Sequence, residues 1–190
     1  RLIDTLLQRD EFADFWALKW ADLLKIEQRQ LDYDGMKVFH AWIRESIAKN
    51  KPLDQFAREL IAARGSTLKN PPANWWRANR DPVTRGENTA RVFLGTQLNC
   101  AQCHNHPFEN ITQTDYYGLA AYFAQVDRKG AKFMLDDEVI ALSPGREVQN
   151  PQTRKNQEPV VGRGEGARVG AEGDRREKLA DWLTRPGNPY

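Results

Sequence analysis

Five consecutive residues, Cys100-Ala101-Gln102-Cys103-His104, hold both cysteines of this 190-residue chain and one of its three histidines. C-x-x-C-H is the pattern of covalent c-type haem attachment. Two thiols one short turn apart can reach the two vinyl groups of a single porphyrin and form thioethers. The next residue then lies under the ring, where its imidazole can ligate the iron, and the covalent tether keeps it there at high effective concentration. The identity of the axial ligands sets much of the redox potential.

Other chemistries use the same residues. Cys100, Cys103, His104 and His106 supply four N or S donors for zinc. Structural zinc sites usually draw ligands from two separated segments, and four donors within seven residues make a strained clip. A dithiol–disulfide pair is a second alternative, but the thioredoxin-like form of that chemistry needs a βαβ context that is missing here. Two structural thiols without a cofactor are a third. Haem is favoured over all three.

An iron that only moves electrons needs a second axial ligand. His106 is too near His104 in sequence to reach the opposite face of the same ring, so it is expected beside the site, as a hydrogen-bonding or structural residue. The remote candidates are His40 and Met134, ranked nearly equal. His40 falls on an apolar helix face, where a histidine is more often a satisfied core residue. Met134 follows the motif, but methionine also fills gaps in cores. An open sixth position would instead admit small ligands, as in a haem enzyme.

The elements that must position the motif read as helical. Phe12, Trp16, Trp20 and Leu24 recur every four residues, which predicts one buried helix face. A turn is expected at Asp32–Gly35, followed by a face of Phe39, Ile43 and Ile47. Pro52 opens another helix with Phe56, Leu60 and Ala63 inward, and Gly65 stops it. Trp75-Trp76 and Tyr116-Tyr117 could wall a haem pocket or a sugar site, but ordinary core and surface aromatics are the favoured reading. Residues 77–85 read as a polar stretch. Asn88 to Leu98 is predicted helical with Val92 and Phe93 inward. Thr114 to Val126 is predicted helical, capped by Thr112 or Thr114. One or two short strands fit residues 133–142. Asp115, Asp136, Asp137 and Glu138 could bind a cation, but an exposed acidic turn is the default reading. Ser143 to Gly173 holds no aromatic residue and little large aliphatic surface, so it is expected as extended or partly mobile chain. Asp174 caps a last helix whose Arg175-Arg176 pair reads as a solvated face.

Composition limits the rest. Twenty-eight Lys and Arg against 26 Asp and Glu leave a net charge of +2, too small to indicate a nucleic-acid binder. Mean hydropathy is -0.73, and no apolar run approaches the roughly 20 residues of a bilayer span. Two cysteines exclude a multi-bridge disulfide scaffold. The chain begins at Arg1 without an initiator Met, and it is expected to be a piece of a longer protein. The fold class is therefore mainly α: an irregular helical domain over 1–142 with at most one short β-hairpin, a Gly/Pro-rich extended segment over 143–173, and a short helix over 174–190 leading onward.

The block from Phe93-Leu94-Gly95 through Cys100 to Phe108, with Gln113-Thr114-Asp115-Tyr116-Tyr117-Gly118-Leu119-Ala120-Ala121-Tyr122-Phe123, resembles the planctomycete cytochrome c domain family (DUF1549, PSCyt2-like). Trp20-Ala21-Asp22-Leu23-Leu24, Asn50-Lys51-Pro52-Leu53-Asp54-Gln55-Phe56 and Asn70-Pro71-Pro72-Ala73-Asn74 agree with it. The stretch from Arg175 to Leu183, with Asn188-Pro189-Tyr190, resembles the junction into the companion C-terminal domain. The resemblance implies a haem-binding module of a large exported bacterial protein, periplasmic, extracellular or cell-surface associated. Its haem motif falls on Cys100, Cys103 and His104, and its second histidine on His106. The partners it implies are other redox domains or cytochromes, in the same polypeptide. An electron-transfer domain is expected rather than an enzyme.

Overall fold

Alanine, not tryptophan, forms the buried stripe of the first long helix. The computed structural model describes residues 1–130, 137–161 and 173–188. Among these it contains eight α-helices and three short strands, so the fold is mainly α. The chain divides into two compact units, Arg1–Ala78 with Lys129–Ile140, and Asn79–Arg128 with Ala141–Tyr190.

The first unit begins with α1 (Leu2–Leu7), α2 (Asp10–Leu23) and α3 (Gln28–Ala48). On α2 the buried residues are Ala13, Ala17 and Ala21, with Leu24 just beyond. Their four-residue spacing makes a smooth stripe that packs on α3. The predicted aromatic face is therefore wrong by one position: Leu24 is buried, but Trp16 is 45% exposed and Phe12 and Trp20 are only half-buried. Trp20 still finds a partner, packing edge-on against Phe56 at 4.9 Å, and Phe56 stacks on Trp42 at 4.7 Å. On α3, Phe39 and Ile43 are buried as predicted. The expected turn survives only as a kink, where Asp32 takes φ 56° and its Oδ1 accepts the Gly35 amide at 2.8 Å. Helix α4 (Leu53–Ile61) starts after Pro52 and buries Phe56 and Leu60 as predicted.

Strand β1 (Gly65–Ser66) pairs antiparallel with β3 (Val139–Leu142), Gly65 opposite Ile140 and Ser66 opposite Val139. Strand β2 (Val126–Lys129) is the other neighbour of β3, so a short hairpin is present. After a 3-10 turn over Pro71–Asn74 comes α5 (Trp75–Ala78). Trp75 and Trp76 are core, 5.0 Å apart, and the Trp76 indole donates to the Ala63 carbonyl at 3.1 Å. Arg77, at the start of the polar stretch, is buried. Its guanidinium donates to the Leu31 carbonyl (2.8 Å), Asn74 Oδ1 (3.1 Å) and Asp32 Oδ2 (2.5 Å), and Glu138 lies 3.3 Å away. Gly35 leaves room for it, because a Cβ there would collide with that guanidinium. Asp137 accepts from the hydroxyls of Ser66 and Thr67 and from the Leu68 amide. The acidic turn thus serves the fold, while Asp136 lies outside the described residues.

The second unit holds α6 (Pro82–Thr89), α7 (Gln113–Ala121) and α8 (Arg175–Thr184). Asp81 caps α6, and a π-helical turn over Ala90–Leu94 follows it. Val92 and Phe93 there are half-buried, and Ala90 is the buried residue. Arg85 is buried and donates to the carbonyls of Asn79 (2.8 Å), Val126 (3.0 Å) and Phe123 (3.4 Å). Burial, then the nearby charge of Arg176, pushes this guanidinium down to about 10, still cationic at neutral pH. The solvated face expected at Arg175-Arg176 is also wrong. Both are buried, Arg175 against Glu147 at 2.6 Å and Arg176 against the capping Asp174 at 2.7 Å. Their carboxylates offset the desolvation that would otherwise expel a charged side chain. Extended chain lies along α7 at Gly118, whose carbonyl accepts the Val160 amide. A Cβ on Gly118 would sit 3.0 Å from that strand of chain, tighter than packing tolerates.

Acid should weaken the first unit. Burial alone would raise the Asp137 carboxyl, but the Ser66 hydroxyl and neighbouring donors hold it below its ordinary value. Arg77 does the same for Asp32 against a similar burial effect. A depressed carboxyl contributes stability above its unfolded value, about 3.9, and loses it as pH falls through the folded value. Urea unfolding should therefore show stability falling below about pH 4, with a shallower fall in Asp137→Asn. Equal pH slopes in the two proteins would contradict the assignment.

Candidate haem-attachment site

A turn that carries two outward thiols must bury something else to stay folded. Asn99–Gln102 forms a 3-10 turn, with Cys103 as its C-terminal cap. Residues three apart eclipse in such a turn. Ala101 is fully buried, while Cys100 and Cys103 are exposed and free. The motif thus roots itself through its smallest residue and leaves both sulfurs accessible.

The root is tied down by α7. Thr112 caps this helix in a reciprocal box with Asp115, Thr112 N donating to Asp115 Oδ2 at 2.8 Å and Asp115 N to Thr112 Oγ1 at 3.2 Å. Gln113 and Tyr117, four residues apart, share a face of α7. The Gln113 side-chain amide donates to the Gln102 carbonyl at 2.8 Å, and the Tyr117 hydroxyl donates to the same oxygen at 3.3 Å. The Gln113 backbone amide donates to Asn105 Oδ1 at 3.1 Å. Tyr116, edge-on to Tyr117 at 5.0 Å, donates to Glu87 at 2.6 Å. Burial, then that carboxylate, holds the Tyr116 phenol well above its usual range. The tyrosine pair is core, and its hydroxyls also fix the motif and α6. Sequence reading singled out Tyr117 only as an aromatic and missed its bond to the motif along with the roles of Gln113 and Asn105, although the four-residue spacing of Gln113 and Tyr117 was the available signal.

The two neighbouring histidines differ in which nitrogen is free. His104 Nδ1 lies 2.7 Å from the Asn105 carbonyl. A carbonyl only accepts, so Nδ1 carries a proton, and in the neutral ring the Nε2 lone pair is free. That is the arrangement a metal-ligating histidine adopts, with its second nitrogen donating to a carbonyl. His106 is the reverse: its Nδ1 accepts the amides of Glu109 (2.9 Å) and Phe108 (3.3 Å). Backbone amides only donate, so the His106 proton sits on Nε2 and the ring offers no free lone pair. The exposed thiols and the His104 tautomer suit a covalently tethered haem. The same His106 tautomer does not suit a four-donor zinc clip. Among the described residues, no three His, Cys, Asp or Glu side chains gather as a metal-holding group.

Of the distal candidates, His40 is half-buried on α3 in the first unit, and Met134 lies outside the described residues.

Removing either donor to the Gln102 carbonyl should cost about 1 kcal/mol. Each single variant, Gln113→Ala or Tyr117→Phe, leaves one donor in place. The double variant leaves none, so its loss in denaturant unfolding should exceed the sum of the two. Simple additivity would show that the two bonds are independent.

A family model described as a protein of unknown function, PSCyt2 (DUF1549), matches residues 1–128. No curated protein and no solved structure matches the chain. The match ends before the residues that resemble a companion domain, but it spans the C-x-x-C-H turn and the helix that holds it. The chain belongs to the PSCyt2 (DUF1549) family.

Proposed function

We propose that this chain is a c-type haem-binding electron-transfer module of a larger exported protein. The observation that carries the reading is the His104 ring: its Nδ1–H is held by the Asn105 carbonyl, its Nε2 is free, and it directly follows two exposed free thiols. Cys100 and Cys103 would hold the haem through thioethers, and His104 would be its proximal ligand. A bound haem supplies a one-electron ferric–ferrous couple. The chain's own part is to hold the turn rigid, keep His104 in the ligating tautomer and hold His106 away from ligation. A rigid site needs little rearrangement when one electron arrives or leaves.

No helix among the described residues is long and apolar enough to cross a membrane. The partners on this reading are other redox domains, in the same polypeptide. A periplasmic or extracellular location fits the family resemblance and the attachment chemistry.

The test is to produce the chain with c-type maturation machinery and record a pyridine haemochrome spectrum. A covalent haem band is expected. His104→Ala should lose the axial histidine signature, and His106→Ala should keep it. Absence of covalent haem, with stoichiometric zinc by elemental analysis, would contradict the reading and favour the metal clip. A high-spin spectrum that shifts with cyanide would replace electron transfer by a haem enzyme with an open sixth position.

A further inference from the structure

Wholly within the second unit lies a cleft of about 420 Å³. Leu94, Leu98, Ile111, Leu119 and Val161 give it an apolar side, and His106, Glu109, Asn110 and Asp115 are among the polar residues that line the rest. Leu98, Leu119 and Val161 are buried beneath it, while Leu94 and Ile111 are half-buried. Packed protein interiors leave few voids larger than a water molecule. Spaces of roughly 300–1,000 Å³ with mostly apolar walls and a few fixed polar groups are the usual seats of organic ligands.

Residues of the lining flank the motif on both sides in sequence. Leu98 precedes Cys100 by two residues, and His106 follows His104 by two. Two residues span at most about 7 Å of chain. A flat ring tethered at Cys100 and Cys103 is therefore within its own breadth of this wall. Cys100, Cys103 and His104 are themselves exposed, so they cannot shield an apolar ring from water. Burying one face of such a ring on aliphatic side chains gains about 25 cal/mol for each Å² removed from water. His106 contributes a fixed polar group, because its Nδ1 is held by two amides and its Nε2–H is the only group it can offer.

We infer that this cleft is the seat of the porphyrin ring, with Leu94, Leu98, Ile111 and Leu119 covering one face. His106 serves there as a hydrogen-bond donor on the wall, not as an iron ligand. The inference rests on the haem reading above and adds the residues that would bury the ring.

The test separates the seat from the tether. Iron mesoporphyrin has ethyl groups in place of vinyls and cannot form thioethers. Titrated into the Cys100→Ser/Cys103→Ser chain, it should bind saturably, read from the visible band. Leu94→Trp and Ile111→Trp, at half-buried positions, should each weaken that binding at least tenfold while leaving the circular dichroism melt unchanged. Equal affinity in folded filled variants, or no saturable binding, would overturn the seat. If the wild-type chain still acquires covalent haem in that case, the haem reading stands and only the seat falls. If the wild-type chain acquires no covalent haem, the haem reading falls, and mesoporphyrin binding sensitive to Leu94→Trp would support the cleft as a ring-binding site by itself.

Discussion

One carbonyl oxygen links the chemistry of the second unit to its core. Gln102 lies between the two cysteines, and its carbonyl accepts both the Gln113 amide and the Tyr117 hydroxyl of α7. An exposed turn of alternating polar residues has little apolar surface to hold it in place. Here the holding is done by Ala101 buried below and by two donors on one oxygen. Helix α7 can serve as the anchor because its own start is closed by the Thr112–Asp115 box and its Tyr116 is tied to Glu87. Arg85 extends the tie by joining the carbonyls of Phe123 and Val126 just after α7 to that of Asn79 before α6. The free thiols and the His104 tautomer are the outward end of this chain of contacts.

Buried guanidinium groups recur as the fixing device in both units. Arg77, Arg85, Arg175 and Arg176 are all buried. Each presents five N–H donors in a rigid fork, so one side chain can satisfy several carbonyls or carboxylates that packing alone would orphan. Arg77 serves the kink at Asp32, and Arg175 and Arg176 fasten the start of α8. A modest net charge conceals this use of arginine, because much of the positive charge in these elements is interior and paired.

Helical periodicity made some elements legible and misplaced others for a physical reason. Phe39, Ile43, Phe56 and Leu60 are both spaced and buried as the 3.6-residue period predicts. The Thr112 cap was readable from the Thr-x-x-Asp spacing. On α2 the same reasoning chose the large residues, and close helix approach selected Ala13, Ala17 and Ala21 instead. Sequence read Cys100, Cys103 and His104 as the site and set His106 beside it, but it could not tell which ring nitrogen of each histidine carries the proton. That distinction depends on which backbone groups face each ring, a carbonyl for one and two amides for the other. The buried arginines were illegible for a similar reason, since apart from Asp174 beside Arg176 their partners are backbone carbonyls and carboxylates far along the chain.

The central claim is that Cys100 and Cys103 are the two attachment points of one haem. Alkylation with iodoacetamide under denaturing, reducing conditions, followed by mass spectrometry of the peptide carrying residues 100–103, tests it most directly. In chain matured by c-type machinery, the account predicts that neither sulfur is alkylated and that the peptide carries one haem. Alkylation of both sulfurs at full stoichiometry, with no haem on the peptide, would contradict it.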